Sequence, residues 1–322
     1  MAKTVLVTGG AGFIGSHVAD RFLAQGWDVT ILDDLSSGRE ENLPPSARFV
    51  RGDITTPETA ALVREGKFDV ICHLAAQIDV RRSVLDPVYD ATRNILGTIN
   101  VMEAVKASGY ATRVVFSSTG GALYGDFDPP PSSETFSKDP EAPYGIAKLS
   151  VEYYLAYYGR VHKIDTVALR YGNVYGPRQD PHGEAGVVAI FCNRILDGKK
   201  LTVYGDGTQT RDYVYAGDVA SANFAAATAT LPPAGRLDAR AFNIGTSIET
   251  SVNTLATTLQ EVAGATASID FAPARAGELA RSALRTDKAR EVLGWSPNVS
   301  LSEGLNNTFK YFAGRRSGAV TR

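Results

Sequence analysis

Three observations predict an α/β fold with a doubly wound parallel sheet and a smaller C-terminal lobe. From residue 4 onward, short runs rich in Val, Ile and Leu alternate with longer segments of helical period. The strand runs are almost continuously apolar, which is typical of a parallel sheet covered by helices on both faces. After residue 172 the chain becomes rich in turn residues, beginning with the stretch GPRQDPHGEAG.

The predicted elements follow one another in the order that crossover connections require. The strands are TVLVTG, DVTILD, ARFVRGD, FDVICHLA, RVVFSS and IDTVALRYGN, and the main helices are FIGSHVADRFLAQG, DPVYDATRNILGTINVMEAVKASG and one that starts at PYGIAKLSVE. We therefore expect residues 1–172 to form the sheet domain and residues 173–322 mainly a substrate-binding lobe. The run AFNIG at 241–245 could return to the sheet, so the two lobes can interleave in sequence.

Composition excludes several classes of protein. The 322 residues are 44% hydrophobic, which is enough for a full-sized core, and 33 basic and 35 acidic side chains nearly cancel. No long run of Lys and Arg suggests a nucleic-acid or membrane partner. The start MAKTVLVTGG lacks an apolar segment for secretion or membrane insertion, so we expect a cytoplasmic protein. Cys72 and Cys192 stand alone in apolar runs, and the four histidines form no cluster, so we expect neither a disulfide nor a metal site.

A glycine-rich turn after the first strand predicts a dinucleotide site. Gly9, Gly12 and Gly15 precede an amphipathic helix, where they permit a tight turn, close approach of a pyrophosphate, and close helix packing. Asp33 ends the next strand 18 residues after Gly15, near the spacing at which an acid binds the adenosine ribose hydroxyls. Such a carboxylate repels a 2′-phosphate and therefore favours NAD over NADP. Arg39 nearby could attract a 2′-phosphate, but we expect the repulsion by Asp33 to be the larger effect. The sheet is therefore predicted to be of the Rossmann type.

The segment PYGIAKLSVE places a phenol and an ammonium on one helix face. Tyr144 and Lys148 are four residues apart, so the lysine could lower the phenol pKa towards the working pH. A phenol with an ordinary pKa near 10 is otherwise a poor base. Together with the glycine turn, this pair predicts hydride chemistry with Tyr144 as the base.

Nearly the whole chain resembles the extended short-chain dehydrogenase/reductase family, especially its UDP-glucose 4-epimerase-like members. The resemblance rests on TGGAGFIG, DDLSSG, GDI at 52–54, HLAAQ, NILGT, FSSTGGALYG, YGIAK, LRYGNVYGPRQ, RDYVY and ARAGE. It implies a bound NAD, a UDP-sugar substrate and a homodimer formed through the helices at 86–108 and 143–158.

The resemblance also implies roles for individual residues. Tyr144 and Lys148 match the catalytic pair, and Thr119 matches the catalytic hydroxyl, with Ser118 as a possible substitute. The implied substrate contacts are Thr119, Tyr144, Asn173, Arg211, Arg275, Glu278 and Ser282. The implied cofactor contacts are Gly9, Gly12, Phe13, Ile14, Gly15, Asp33, Asp34, Leu35, Ser36, Ser37, Gly38, Asp53, Ile54, Leu74, Ala75, Ala76, Asn94, Tyr144 and Lys148.

The residues after the catalytic hydroxyl favour epimerisation within this family. Dehydratases place an acid pair there and decarboxylases usually a Glu, because those reactions need additional proton transfer. This chain has Gly120, Gly121, Ala122 and Leu123. We therefore expect a nucleotide-sugar 4-epimerase for UDP-glucose and UDP-galactose. A UDP-uronic acid 4-epimerase, another nucleotide-sugar dehydratase, reductase or decarboxylase, and a noncatalytic NAD-binding regulator remain as alternatives.

Ser282 indicates which sugars the substrate site can accept. It occupies a position where glucose-restricted members often carry a bulky tyrosine, so the resemblance implies room for an N-acetylated sugar.

Overall fold

A central sheet and a set of peripheral two-stranded pairs make up the computed structural model, which describes residues 2–125, 129–181, 186–274 and 279–319. The strands are β1 (Thr4–Thr8), β2 (Asp28–Asp33), β3 (Arg48–Arg51), β4 (Val70–His73), β5 (Arg113–Thr119), β6 (Asp165–Tyr171), β7 (Asn173–Tyr175), β8 (Leu201–Tyr204), β9 (Thr210–Arg211), β10 (Tyr213–Tyr215), β11 (Ala241–Ile244), β12 (Thr250–Ser251) and β13 (Ile269–Ala272). The helices are α1 (Phe13–Ala24), α2 (Pro57–Gly66), α3 (Val80–Leu85), α4 (Pro87–Ala91), α5 (Gly97–Ser108), α6 (Pro143–His162), α7 (Val187–Leu196), α8 (Ala216–Thr228), α9 (Val252–Ala263) and α10 (Leu301–Ala319). A π-helical turn at Thr92–Leu96 joins α4 to α5.

The central sheet confirms the predicted α/β class. Its seven strands are parallel and run in the order β11, β6, β5, β4, β1, β2, β3. The winding reverses between β1 and β4, and Thr8 at the end of β1 is level with Leu32 in β2 and His73 in β4. In such sheets the crevice for a ligand opens at the carboxyl ends of the strands near this reversal.

Alternating side chains of β1 build the two faces of the sheet. Val5 and Val7 pack into a core with α1 and α8, whereas Leu6 packs into a second core with α5 and α6. All three side chains are fully buried. This burial on both faces explains why the predicted strands read as continuous apolar runs.

Segments after residue 172 return to the sheet domain. The strand β11 pairs with β6, as the run AFNIG suggested, and α8 lies against α1 on one face of the sheet. A separate core joins α7, α9 and α10 with the parallel pair of β8 and β13. The predicted boundary between residues 172 and 173 therefore does not separate two continuous domains. It stays a prediction of where most residues of each lobe lie. None of the helices in the described residues has the length and apolarity needed to span a membrane.

Candidate active site

The glycine turn after β1 has the geometry that a phosphate cradle requires. Gly9 has a φ of +70°, and a Cβ there would lie 2.7 Å from the Ala75 nitrogen. A Cβ on Gly15 would lie 2.1 Å from the Gly9 carbonyl oxygen, so only glycine allows α1 to start this close to the turn. A Cβ on Gly12 would meet only the Gly9 oxygen, at 3.1 Å, which leaves the other side of that backbone open.

The first turn of α1 can bind an anion. Gly12 is the N-cap and has no side chain to accept from the first helical N–H groups, which belong to the turn that starts with Phe13 and Ile14. The helix dipole adds partial positive charge at the same place. These features fit the diphosphate of a dinucleotide.

Asp33 lies at the carboxyl end of β2 beside the cradle. The carboxylate is buried, and its two oxygens accept from the Ala11 nitrogen at 3.0 Å and the Leu35 nitrogen at 2.9 Å. A Cβ on Gly38 would lie 2.7 Å from Asp33 Oδ1, so this glycine lets the following loop close over the acid. Burial raises the pKa of Asp33, and the surrounding backbone N–H groups oppose that effect. With the backbone N–H groups of Ala11, Gly12 and Leu35 around it, the carboxylate still has a lone pair that can accept from a ribose hydroxyl.

An arginine that the sequence did not single out lies beside the predicted cofactor contacts Asp34 and Asp53. Arg93 forms a close ion pair with Asp53 and lies 3.9 Å from Asp34 Oδ2. Burial acts to raise the pKa of Asp53, but hydrogen bonds from Thr55 and Arg93 hold it below its ordinary value. Nothing in the local sequence around position 93 distinguishes this arginine from a solvated helix residue, because its partners come from β2 and the loop after β3.

The Arg39 guanidinium is directed away from Asp33. It contacts Asp180 at 3.4 Å and Glu41 at 3.7 Å. This arrangement agrees with the expectation that Asp33 rather than Arg39 determines the choice of dinucleotide.

Asn94 is engaged with the protein rather than pointing freely into the crevice. Its Oδ1 accepts from the Gln77 nitrogen at 2.8 Å, and its Nδ2 donates to the Gln77 oxygen and to Asp90 Oδ1, each at 3.0 Å. The predicted contacts Leu74, Ala75 and Ala76 precede Gln77 on the same loop. Asn94 therefore holds this loop, and its direct contact with a cofactor stays a prediction.

Tyr144, Lys148 and Thr119 come together at the carboxyl end of β5. Lys148 is 3% exposed, and its Nζ donates to the Ser117 oxygen at 2.8 Å. The same Nζ lies 5.7 Å from the centre of the Tyr144 ring. The predicted common face of the helix is thus present in the structure.

The expected lowering of the Tyr144 pKa by Lys148 is not what the structure shows. Burial raises the pKa of Tyr144, and the negative charge of Asp90 raises it further. Burial lowers the pKa of Lys148 to about 8, while Asp90 and Glu152 oppose that change. The sequence prediction considered the helix face alone and omitted both desolvation and the two carboxylates. A positively charged ring bound beside Tyr144 would act in the direction the sequence predicted.

The structure favours Thr119 over Ser118 as the catalytic hydroxyl. Ser118 Oγ is buried and donates to Glu152 Oε1 at 2.5 Å. Thr119, the next residue along β5, is half-buried, and its Oγ1 accepts only from the Ala122 nitrogen at 3.2 Å within the described residues. The Thr119 hydroxyl hydrogen therefore remains available to a ligand.

A serine from α3 supports the catalytic helix. The N-cap of α6 is Ala142, which has no polar side chain, and Pro143 follows it. Ser83 Oγ accepts from the Tyr144 nitrogen at 3.2 Å and donates to the Val80 oxygen at 2.6 Å. In the sequence, the one sign of this contact is that Ala142 cannot cap the helix with its own side chain. That sign does not show that Ser83 takes its place.

The loop that follows Thr119 lies against the start of α6. A Cβ on Gly145 would be 2.5 Å from the Ala122 oxygen, and a Cβ on Gly121 would be 3.6 Å from Asn173 Oδ1. The loop residues 120–123 thus lie beside Tyr144 and the predicted substrate residue Asn173. They contribute no ionisable side chain there.

The predicted substrate residues Arg211 and Ser282 lie on neighbouring segments. The Thr210 oxygen accepts from the Ser282 nitrogen at 3.2 Å, which holds the 280–282 segment beside β9. Buried Asp212 fixes this edge, because its carboxylate accepts three backbone hydrogen bonds from Thr246, Ser247 and Leu284. Arg275 and Glu278 lie outside the described residues.

His73 has a structural role between β1 and α5. It contacts Thr8 Oγ1 at 2.7 Å and Thr98 Oγ1 at 3.0 Å. Burial, with a contribution from Lys148, lowers its pKa to about 3. Within the described ranges, no group of three or more His, Cys, Asp and Glu side chains is arranged to hold a metal ion.

Comparisons with known proteins agree with this geometry. The model of the NAD dependent epimerase/dehydratase family matches residues 5–245. A UDP-glucose 4-epimerase from Mycolicibacterium smegmatis is 46% identical over 312 residues, which cover 95% of this chain and 97% of that protein. The structure of a UDP-glucose 4-epimerase from Thermotoga maritima with UDP-glucose has a TM-score of 0.92 and 44% identity, covering 97% of this chain and 99% of that one. The UDP-glucose 4-epimerase of Thermus thermophilus in complex with NAD has a TM-score of 0.88 and 42% identity, with the same coverage.

Proposed function

Because the chain belongs to the NAD dependent epimerase/dehydratase family, we propose that it is an NAD-dependent UDP-sugar 4-epimerase that interconverts UDP-glucose and UDP-galactose. One observation carries the choice of reaction within the family. The loop 120–123 lies against the helix of Tyr144 and beside Asn173, yet it offers no acid or base. Elimination and decarboxylation would need such a group, whereas 4-epimerisation needs only one residue that takes and returns a proton.

The residues present fit NAD, although their roles toward it are part of the proposal. Gly12 and the first turn of α1 hold the diphosphate, Asp33 accepts from the adenosine ribose, and Asp53 with Ile54 lines the adenine. NAD held by these residues would supply reversible hydride transfer with carbon 4 of the sugar.

The protein residues handle the proton and hold the substrate. The Tyr144 oxygen takes the proton of the sugar 4-hydroxyl and later returns it, and the Thr119 hydroxyl donates to the same sugar oxygen. The Lys148 ammonium stabilises the negative charge on Tyr144. Arg211 binds the diphosphate of the substrate, so that the hexose can turn while its nucleotide stays in place.

Incubation with UDP-glucose or UDP-galactose tests the proposal. We expect each sugar to give a mixture of both at unchanged mass, as resolved by chromatography and mass spectrometry. Tyr144→Phe should retain bound NAD and lose most of the activity, by about 10²- to 10⁴-fold. Tyr153→Phe is the matched control, since Tyr153 is 58% exposed on the same helix and should be fully active. A product that has lost water or carbon dioxide would support the alternative enzymes, and NAD binding with no turnover of any UDP-sugar would support a regulator.

We extend the proposal to the N-acetylated pair on the basis of Ser282. Its small, half-buried side chain lies on the segment that pairs with β9 beside Arg211. Ser282→Tyr should selectively lose turnover of UDP-N-acetylglucosamine, while Ser282→Ala should leave the ratio of the two substrates unchanged. Equal losses for both sugars in Ser282→Tyr would contradict this assignment. UDP-glucuronate in the same panel tests the uronic acid alternative.

We also propose that two copies associate through α4, α5 and α6. Large apolar side chains are exposed on α3, on α4, on the π-helical turn that leads into α5 and on α6, namely Leu85 (85%), Val88 (74%), Leu96 (57%), Ile146 (51%) and Val161 (56%). An apolar surface of this kind favours a two-fold contact with its own copy. Light scattering should give a dimer for the wild type and a monomer for the Val88→Asp, Leu96→Asp double variant. Phe271→Asp, at a 60% exposed position on β13, should stay dimeric.

A cytoplasmic location remains part of the proposal. Both cysteines are buried and unpaired, which is common in proteins of reducing compartments.

A further inference from the structure

A buried carboxylate behind the catalytic pair has no assigned purpose. Asp90 in α4 is 1% exposed, and its Oδ1 accepts from Gln77 Nε2 and Asn94 Nδ2, each at 3.0 Å. Its Oδ2 is buried and has no hydrogen-bond partner among the described residues. A buried carboxylate oxygen without a donor costs free energy, so a compensating interaction is expected.

The helix α6 packs against α4 and carries both Tyr144 and Lys148. The charge of Asp90 raises the pKa of Tyr144 and of Lys148. Burial raises the pKa of Asp90 itself, and the Lys148 ammonium acts to lower it, which favours the carboxylate. In the part of the chain that the structure describes, Lys148 has a neutral hydrogen-bond partner, the Ser117 carbonyl, and no ion pair. A buried ammonium and a buried carboxylate, each without a direct ionic contact there, thus share one region of low dielectric.

The other titratable groups around Asp90 do not pair with Tyr144 or Lys148. Glu152, one turn after Lys148, is already held by the buried guanidinium of Arg170. His73 on β4 is neutral, because burial lowers its pKa to about 3.

Arg93 on the adjacent π-helical turn is paired with Asp53. Asp79, next to the Gln77 loop, caps α3 by accepting from the Arg82 nitrogen at 3.0 Å. Neither group therefore replaces the charge of Asp90.

We propose that Asp90 is a positioning residue whose carboxylate is the buried counter-charge of the Tyr144 and Lys148 pair. It keeps the Lys148 ammonium charged and the Tyr144 phenolate basic at a place where the lysine is buried and the tyrosine half-buried. Through Asn94 and Gln77 it also fixes the loop that follows β4. This inference rests on the proposed epimerase function for its kinetic test, but not for its spectroscopic test.

The proposal predicts the direction in which a pH profile moves. In the NAD-bound enzyme the positive nicotinamide ring lowers the pKa of Tyr144, and activity requires Tyr144 deprotonated on the acid side and Lys148 protonated on the alkaline side. The charge of Asp90 raises the pKa of both groups. Asp90→Asn removes this charge with little change in shape, so both pKa values fall and both limbs move to lower pH. Loss of packing alone would lower the rate at every pH and leave the limbs in place.

The kinetic experiment compares kcat/KM against pH for three proteins with UDP-galactose. We expect both limbs of Asp90→Asn to move to lower pH by roughly one unit, the lower end of the shift that a nearby charge produces. Asp86→Asn is the matched control: Asp86 is an exposed N-cap of the same helix that accepts from the Tyr89 nitrogen at 2.9 Å, and asparagine caps equally well. It should keep the wild-type limbs. Unmoved limbs in Asp90→Asn overturn the inference.

A second readout does not depend on turnover. With [ε-¹³C]lysine labelling, the Lys148 resonance, identified by its loss in Lys148→Met, should titrate near pH 8 in the wild type and lower in Asp90→Asn. An unchanged titration overturns the inference even when the enzyme is active. If Asp90→Asn fails to fold, as judged by circular dichroism, Asp90→Glu provides the test. This variant keeps the charge and should keep both limbs of the pH profile. Moved limbs in Asp90→Glu overturn the inference. If the wild type turns over no UDP-sugar, the proposed function fails, and the lysine titration still decides the role of Asp90.

Discussion

Replacing Glu152 with glutamine should destabilise the protein far more than an equivalent change at the surface. The Glu152 carboxylate lies between α6 and β6 and contacts Arg170 at 2.6 Å, with side chains 1% and 0% exposed. Ser118 donates to the same carboxylate at 2.5 Å. Among the described residues, the substitution leaves the buried guanidinium with Asp238, at 2.8 Å, as its one ionic partner. It also turns the amide N–H₂ donors towards the guanidinium donors.

The size of the effect follows from this burial. Removing one partner of a buried ion pair costs about 3–5 kcal/mol, and the remaining contact with Asp238 places Glu152→Gln near the lower end. For a large domain this corresponds to a fall in Tm of roughly 6–10 °C. The pair of Arg64 and Glu65, at 52% and 71% exposure, provides the control. Glu65→Gln should change stability by less than about 1 kcal/mol.

Differential scanning calorimetry of both variants at one pH measures this difference. A second arm replaces both Glu152 and Arg170 with methionine, which should restore part of the lost Tm because the buried pair is removed as a whole. If Glu152→Gln melts together with Glu65→Gln, the buried pair does not stabilise the fold as argued.

Three further predictions concern the site. Gly15→Ala should abolish NAD binding, because its Cβ would lie 2.1 Å from the Gly9 oxygen; wild-type NAD content after purification, assayed by chromatography, would contradict this. Ser83→Ala should lower kcat about fivefold with little change in KM, since Tyr144 loses a capping bond of about 1 kcal/mol; an unchanged kcat would show that the helix start is held by other contacts. With NAD bound and the pKa of Tyr144 lowered by its positive ring, activity should fall above pH 8 as Lys148 loses its proton, whereas stability should not fall with it. The folded-state pKa of Lys148 lies below the unfolded value of 10.5, so raising the pH removes the cost of burying its charge. A parallel decline of Tm and activity would attribute the alkaline loss to unfolding.

The features that the sequence predicted correctly have local causes. Gly9, Gly12 and Gly15 are close in the chain, and their spacing alone determines how the turn enters α1. The apolar runs predicted the parallel sheet because both of its faces are covered. The same logic located Tyr144 and Lys148 on one helix face, since their separation of four residues suffices for that.

The features that the sequence did not predict depend on contacts between distant segments of the chain. Arg170 lies inside the apolar run of β6, and nothing in that run indicates that Glu152 of α6 meets it. Ser83 caps a helix that begins 60 residues later in the chain. The direction of the Tyr144 pKa shift was wrong for the same reason, because desolvation and the charge of Asp90 arise only when α4 packs against α6.

The central claim is that this site moves a proton and a hydride at carbon 4 of a UDP-sugar without net loss of mass. The most direct measurement is a proton NMR time course of UDP-galactose with the purified protein, which resolves the anomeric signals of both epimers. The account predicts that UDP-glucose appears until a constant ratio is reached, and that Tyr144→Phe with its NAD still bound produces almost none. Unchanged UDP-galactose with the wild type, or equal rates for wild type and Tyr144→Phe, would contradict it.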